Sequence, residues 1–301
     1  MKKLKIKFPS LVRYFTLCAF TMFSINSTMA QEDSTKSKTI APEVVKYTFE
    51  SIWILDNQTV MVPIKGAFEF DIQHRFGTWD NGYEDFYGIF APANIRLGVG
   101  YVPIKNLMLG LGFCKDRLQW DLNVKYAIIK QTKGGGWPVS ITYFGDMAID
   151  TRSSDNFYRN VDRISYFNQL MIARKITDAF SAQVSPSLSY YNNVEGYYDS
   201  EGEVRSKMNN EHFAIAFMGR YKLNNKLAIL ANYDQPLTEH PTNNPDPNLS
   251  LGLEISTGSH AFQVFAGNYY YILQQNNNFY NQNNYKDNQF LIGFNITKVW
   301  D

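Results

Sequence analysis

Cysteine, charge and long apolar runs are all scarce in this sequence. Only 2 of its 301 residues are Cys, and Cys114 is the one that lies beyond the first thirty residues. No internal disulfide can therefore form once those thirty residues are removed. Charged residues make up 19%, below the usual fraction of about 25%. After position 30 no apolar run approaches the ~20 residues of a transmembrane helix, which excludes a helical membrane protein.

The first thirty residues have the organisation of a cleaved signal peptide. A basic start with five Lys and Arg residues precedes a short apolar run at positions 14–23, and Thr28-Met29-Ala30 places small residues before a cleavage site. Removing those five residues leaves 24 of 29 basic residues against 28 acidic ones, a net charge of −4. This acidic balance argues against a nucleic-acid partner.

The rest of the chain divides into a linker and one domain. Residues 31–47 are polar and rich in Ser, Thr and Lys, which predicts a disordered linker. Residues 48–301 contain no hinge, heptad or short repeat, and we interpret them as a single domain. Within it, residues 48–65 are either a plug or a lead-in to the first strand.

A period-two alternation of apolar and polar residues runs through this domain. Residues 66–76 are the clearest case, with Phe68, Phe70 and Ile72 in one phase and acidic, amide and basic groups in the other. Strands place alternate side chains on opposite faces, and in a membrane barrel one face meets lipid while the other lines a polar interior. Similar segments lie at 94–102, 107–114, 118–128, 139–147, 163–174, 180–190, 213–221, 227–233, 249–255, 261–271 and 289–300.

The connections between these segments alternate in length. Short ones lie at 103–106, 175–179, 223–226 and 257–260, and long ones at 77–92, 150–162, 192–209, 235–248 and 272–288. The connections at 115–117 and 130–138 are irregular. Outer-membrane barrels have short periplasmic turns and long external loops. The sequence thus predicts an all-β fold, an antiparallel transmembrane β-barrel of about twelve strands with both termini periplasmic, in the bacterial outer membrane.

Polar residues in the inward phase are the candidate lumen lining. They are Glu69, Asp71, Gln73, Arg75, Asn94, Arg96, Gln119, Asp121, Asn123, Lys125, Gln169, Arg220 and Glu254. They line either a polar channel or a salt-bridged interior that does not conduct, because small barrels are filled by their own side chains.

Four glycines share the inward face of one predicted hairpin: Gly98, Gly100, Gly110 and Gly112. One interpretation is that residues 51–64, or a loop folded inward, pack against this smooth patch. The alternative is that the glycines ease the curvature of the sheet.

Residues suited to catalysis or metal binding are sparse. The four histidines have no metal-site spacing and no Cys cluster accompanies them, so no metal, cofactor or catalytic residue is expected. A loop-borne hydrolase site would have to pair Glu84 or Asp85 with His240.

The Asn-rich stretches at 276–278 and 281–284, which lie among aromatic residues, are either an ordinary solvated loop or a surface that binds glycans.

Several segments together resemble a known family. They are Phe49-Glu50-Ser51, His74-Arg75-Phe76-Gly77, Ile95-Arg96-Leu97-Gly98, Arg163-Ile164-Ser165-Tyr166, the segment 169–175, Gly219-Arg220-Tyr221-Lys222, the segment 257–263 and Gly293-Phe294-Asn295-Ile296. The chain is similar over residues 48–299 to uncharacterised outer-membrane β-barrels of Bacteroidota, grouped as a domain of unknown function. The resemblance implies a barrel and an outer-membrane address, and it implies no substrate.

We interpret the chain as a non-enzymatic outer-membrane barrel, either a narrow passive pore or a closed structural barrel. Its expected partners are outer-membrane lipids and lipopolysaccharide, periplasmic chaperones and the barrel-insertion machinery, for which a last strand ending at Trp300 is a suitable signal. A small solute or a glycan is the candidate ligand. The alternatives are an outer-membrane hydrolase and an exported soluble β-sandwich that acts as a binding module.

Overall fold

A computed structural model describes residues 42–300, and twelve of its strands form one closed antiparallel barrel. The barrel strands are β3 (Phe68–Thr78), β4 (Asn94–Ile104), β5 (Leu107–Cys114), β6 (Gln119–Ile129), β7 (Ser140–Asp150), β8 (Ile164–Lys175), β9 (Phe180–Tyr191), β12 (Glu211–Lys222), β13 (Leu227–Pro236), β14 (Asn248–Thr257), β15 (His260–Gly267) and β16 (Leu291–Trp300). The predicted signal peptide and residues 31–41 of the predicted linker lie outside the described residues.

Four short strands and one helix complete the secondary structure that concerns the site. They are β1 (Trp53–Ile54) and β2 (Asn57–Gln58), which form a hairpin, β10 (Gly196–Tyr198) and β11 (Val204–Lys207), which form another, and α1 (Gln274–Tyr280). Among residues 42–300, no helix is both long and apolar enough to cross a membrane.

The barrel closes because the last strand pairs with the first. β16 lies antiparallel to β3 with Phe294 opposite His74 and Ile296 opposite Ile72, and every other barrel strand pairs with the barrel strands before and after it in the chain. Closure leaves no barrel strand with an unpaired edge, which lipid would not tolerate. The predicted all-β, twelve-stranded antiparallel barrel is confirmed, and the β-sandwich alternative is wrong.

The outer face of the barrel is apolar. Leu97, Leu122 and Leu253 expose between 44% and 49% of their surface, while the inward-facing Arg96 and Asp121 beside them are buried. A continuous apolar exterior around a polar interior is the inverse of a soluble protein, and it suits contact with acyl chains.

One rim carries the short connections and the other the long ones. Residues 105–106, 176–179, 223–226 and 258–259 join strands at the first rim, and residues 192–210, 237–247 and 268–290 are among those at the second. The longer turn at 130–139 binds the start of the described chain, since the backbone N–H of Val45 donates to Gln131 O at 2.8 Å. That contact places residues 43–45 of the predicted linker against the barrel.

Leu253 lies in the middle of β14 on the outer face, so a charge there would meet the bilayer centre. We predict that Leu253→Arg lowers the free energy of unfolding by about 2–4 kcal/mol in lipid vesicles. Leu237→Arg is the matched control, because Leu237 is 60% exposed but lies in a loop. Denaturant titration of folded protein in vesicles measures the unfolding free energy of both variants. Equal losses in the two variants would contradict the placement of Leu253 at the centre of the bilayer.

Candidate functional site

The lumen contains a hairpin that enters from the rim with the short connections. β1 and β2 pair with Trp53 opposite Gln58 and Ile54 opposite Asn57, and the tight turn between them places Leu55 at a left-handed φ of 57°. All residues from 51 to 60, named here the inner hairpin, are buried. A hairpin of this size is marginal in water, so the barrel wall must stabilise it.

Side chains of the wall satisfy the backbone of the inner hairpin. Gln263 accepts from Leu55 N at 3.0 Å and donates to Trp53 O at 2.8 Å, while Asn295 donates to Leu55 O at 2.7 Å. On the other arm, Gln183 donates to Gln58 O at 2.8 Å and accepts from Val60 N at 3.0 Å. These amides take the place of the water that the backbone groups lose on entering the lumen.

Asn57 is the central polar side chain of the inner hairpin. Its amide nitrogen lies 3.0 Å from Asn232 Oδ1 and 2.9 Å from Asp234 Oδ1, and its carbonyl oxygen accepts from Gln169 Nε2 at 2.9 Å. The side chain thus bridges β8 and β13 from inside the barrel.

An apolar cluster surrounds these hydrogen bonds. Inner-hairpin residues Ile54, Leu55 and Val60 belong to one buried cluster with side chains that the wall directs inward. The wall contributes Phe144, Phe167, Met171, Ala173, Ala216, Met218, Leu230 and Phe265, and the connection after β15 contributes Tyr269. Apolar side chains that line an open aqueous pore would be exposed to water, which is unfavourable. Here they pack against the inner hairpin, so this part of the lumen resembles a protein core.

The last long connection enters from the opposite rim. All seven residues of α1 are buried, and its amides reach the wall: Gln275 donates to Asp146 Oδ2 at 2.7 Å and Asn276 to Gln119 Oε1 at 2.7 Å. The Asn-rich stretch at 276–278 is therefore interior, and the expectation of an ordinary solvated loop is wrong there. Buried amides suit this position because each provides both donors and acceptors.

The two inserted segments meet at Asp56. Its carboxylate accepts from Asn277 Nδ2 at 2.8 Å, and its backbone carbonyl accepts from Gln274 Nε2 at 3.0 Å. Arg75 approaches the same carboxylate from β3 at 3.8 Å. The lumen is thus occupied from both rims.

The predicted lumen-lining residues all occupy inward-facing positions; twelve of the thirteen are buried and Asn123 is half-buried. The structure brings them together in small groups rather than in one continuous channel wall. Arg220 pairs with Glu254 at 2.8 Å, and Lys125 donates to Gln58 Oε1 of the inner hairpin at 2.8 Å.

The strongest of these groups is an ion cluster centred on Arg96. Its guanidinium contacts Asp71 at 2.8 Å and holds Asp121 with two bonds of 2.9 and 2.7 Å. The ring of Trp53 in the inner hairpin lies 5.5 Å from the same guanidinium. The bidentate geometry is the strong form of this pair.

The glycine patch leaves space for the side chains of this ion cluster. The atoms nearest to a side chain placed on Gly98 or Gly112 belong to Asp71, Arg96 and Asp121, and those nearest to Gly110 belong to Asn123. The inner hairpin lies over this part of the wall, as one interpretation expected, but Trp53 faces the side chain of Arg96, which lies against the glycines. A water-sized cavity of about 10 Å³ lies between the inner hairpin and this wall.

The residues of the hydrolase hypothesis are not brought together. Asp85 accepts from Gly88 N at 2.8 Å and from Asn81 at 3.0 Å within its own loop. His240 instead contacts the ring of His212 at 2.8 Å, and its burial lowers its pKa. Within residues 42–300 no cluster of three or more His, Cys, Asp or Glu side chains could hold a metal ion.

A closed antiparallel barrel with an apolar exterior defines the class: this is a membrane-bound β-barrel protein of the outer-membrane type. The chain belongs to the family described as "Membrane bound beta barrel domain (DUF5777)", which matches residues 49–300. No curated protein matches the chain.

Porins and channels are among the solved structures with similar folds. An outer membrane channel from Pseudomonas putida is 11% identical with a TM-score of 0.49, over 80% of this chain and 97% of that one. The NanC porin is 12% identical with a TM-score of 0.45, over 77% and 98%. The KdgM porin in complex with disordered oligogalacturonate is 10% identical with a TM-score of 0.45, over 78% and 99%.

The Arg96 cluster supports a prediction about buried charge. Arg96→Met leaves Asp71 and Asp121 without their cation, and we expect it to destabilise the barrel by about 3–5 kcal/mol. Adding Asp71→Asn and Asp121→Asn to that variant removes the uncompensated charges, so most of the lost stability should return. Denaturant titration of the single and triple variants compares them, and a triple variant as unstable as the single one would refute the explanation.

Proposed function

We propose that this protein is a non-enzymatic outer-membrane barrel that is closed by its own chain. The observation that carries the proposal is the inner hairpin, which is held by wall amides on both arms and by a shared apolar core. A barrel of this width leaves a lumen that its wall side chains do not fill, and the inserted segments fill it.

A narrow pore is the second candidate. Polar side chains on β9 support it, since Ser181, Gln183, Ser185, Ser187 and Ser189 form an inward row that would line an aqueous path if the inserted segments withdrew. The inward apolar side chains around Ile54 and Leu55 favour the closed barrel, because withdrawal would expose them to water.

Single-channel recording distinguishes the two candidates. We predict that the wild-type protein gives no conductance steps in planar bilayers. Replacing residues 51–60 and 274–280 by Gly/Ser segments of equal length should open the lumen and give steps. The matched control replaces residues 199–205 in the hairpin of β10 and β11, named here the outer hairpin, and should stay silent.

Steps from the wild-type protein would reject the closed barrel. Silence of the doubly replaced protein, once its folded barrel is verified by circular dichroism, would show that the inserted segments are not what closes it. A further assay compares lipid and peptide hydrolysis by the wild type and by His240→Ala; any hydrolysis lost in that variant would refute the non-enzymatic assignment.

We also propose how the protein is exported to the outer membrane and how it is oriented there. Residues 1–30 act as the signal peptide, residues 31–47 as a linker, and both termini face the periplasm, in an outer membrane of Bacteroidota. Support comes from the position of residues 43–45 and Trp300 at the rim with the short connections, the periplasmic side in such barrels.

This orientation is testable on intact cells. An epitope inserted at Tyr158, which is 97% exposed in a long connection, should be labelled by an antibody added outside. The same epitope placed between Asn224 and Asn225 in a short turn should be labelled only after the outer membrane is opened. The reverse pattern would place the termini outside.

A further inference from the structure

A second cavity lies outside the lumen core, at the rim with the long connections. It is an open pocket of about 500 Å³, named here the mouth pocket, bounded by α1, by the connections at 115–118 and 151–163, and by the outer hairpin of β10 and β11. Its volume is within the range of about 300–1,000 Å³ that small-molecule sites occupy. No sequence pattern indicated this pocket, because its residues come from five separate connections and from the strand ends beside them.

Arg117 is the first cation of the mouth pocket. Its guanidinium lies 4.5 Å from the ring of Tyr280 and 5.9 Å from that of Tyr271, so two aromatic rings fix its position. Its ion pair is with Asp116 at 3.8 Å, too long for a hydrogen bond. Burial raises the pKa of Tyr280 to about 12, so this phenol is neutral and leaves the charge of Arg117 in place.

Arg163 is the second cation. One of its terminal nitrogens donates to the backbone carbonyl of Asp150 at 3.0 Å, and its guanidinium lies 4.6 Å from the ring of Phe157. Its Nε is buried and has no hydrogen-bond partner among the described residues. Arg163 also takes part in none of the ion pairs found within residues 42–300. Because Arg163 lines the mouth pocket and no carboxylate among the described residues pairs with it, the carboxylate of a ligand can take that place.

Two carboxylates of the pocket are already neutralised by other arginines. Asp150 is held by Arg152 through bonds of 3.0 and 2.7 Å, and Asp162 is held by Arg159 at 2.7 Å. Because these pairs cancel, the charged groups that a ligand would meet are the cations Arg117 and Arg163 and the carboxylate of Glu195.

Other groups of the mouth pocket suit hydroxyls and a ring. The carboxylate of Glu195 and the amides of Asn193 and Asn243 line it, as does Tyr198, which is 60% exposed. A carboxylate accepts hydrogen bonds from hydroxyls but repels a polyanion, and a tyrosine ring offers a face for the apolar side of a sugar.

We propose that the mouth pocket binds a carboxylated sugar. Arg163 and Arg117 take the carboxylate, Glu195 and the neighbouring amides take ring hydroxyls, and Tyr198 stacks on the ring. This site goes beyond the proposed function, because binding at the outer mouth requires no passage through the lumen.

Calorimetric titration of the full protein in nanodiscs tests the proposal. The probes are D-glucuronate, D-glucose and inorganic phosphate. We expect D-glucuronate to bind and D-glucose to bind about tenfold more weakly or not at all, since it lacks the carboxylate. Arg163→Gln and Arg117→Gln should each weaken D-glucuronate binding by about tenfold.

The control is Arg205→Gln on β11, which pairs with Asp199 outside the mouth pocket and should leave binding unchanged. Thermal unfolding of each variant shows whether it is folded. If Arg163→Gln does not fold, Arg117→Gln alone tests the role of the pocket cations. Equal binding of D-glucuronate and D-glucose, tighter binding of phosphate, or loss of binding in Arg205→Gln as large as in the pocket variants would overturn the proposal. None of these outcomes depends on whether the lumen conducts.

Discussion

The structure depends on one constraint, which is that polar groups removed from water must find partners inside the barrel. Closure of the sheet satisfies the backbone of the wall. It also creates a lumen, and there the backbone of the inner hairpin needs partners of its own. Gln183, Gln263 and Asn295 provide them from three different strands. The position of the inner hairpin is therefore fixed by the same side chains that would otherwise line an aqueous pore.

The charged residues of the lumen follow the same constraint. Arg96 is tolerable in the interior because Asp71 and Asp121 both contact it, and the neighbouring glycines leave space for the three side chains. Such clusters contribute little net stability compared with apolar packing, but removal of one member is expensive. The same cluster also faces the inserted segment, since the ring of Trp53 lies 5.5 Å from the guanidinium of Arg96.

The strand pattern was predictable because its period of two is a direct consequence of strand geometry. Residues such as Leu122 and Asp121 alternate strictly, and their faces follow from that alone. The filling of the lumen was not predictable from alternation. Phe144, Phe167 and Leu230 are apolar residues in the inward phase, and in retrospect they indicated an apolar occupant. The burial of α1 left no such sign, because Gln and Asn are common in both solvated loops and polar interiors.

The accessibility of the inner hairpin tests the central claim most directly. In a Cys114→Ala background, a cysteine placed at Val60 should not react with a membrane-impermeant thiol reagent added to both sides of the folded protein, because Val60 is 5% exposed inside the barrel. A cysteine at Tyr158, which is 97% exposed, gives the reaction rate of a fully accessible thiol for comparison. Protection of position 60 that is lost only on unfolding agrees with an occupied lumen, whereas reaction at the rate of position 158 would contradict it.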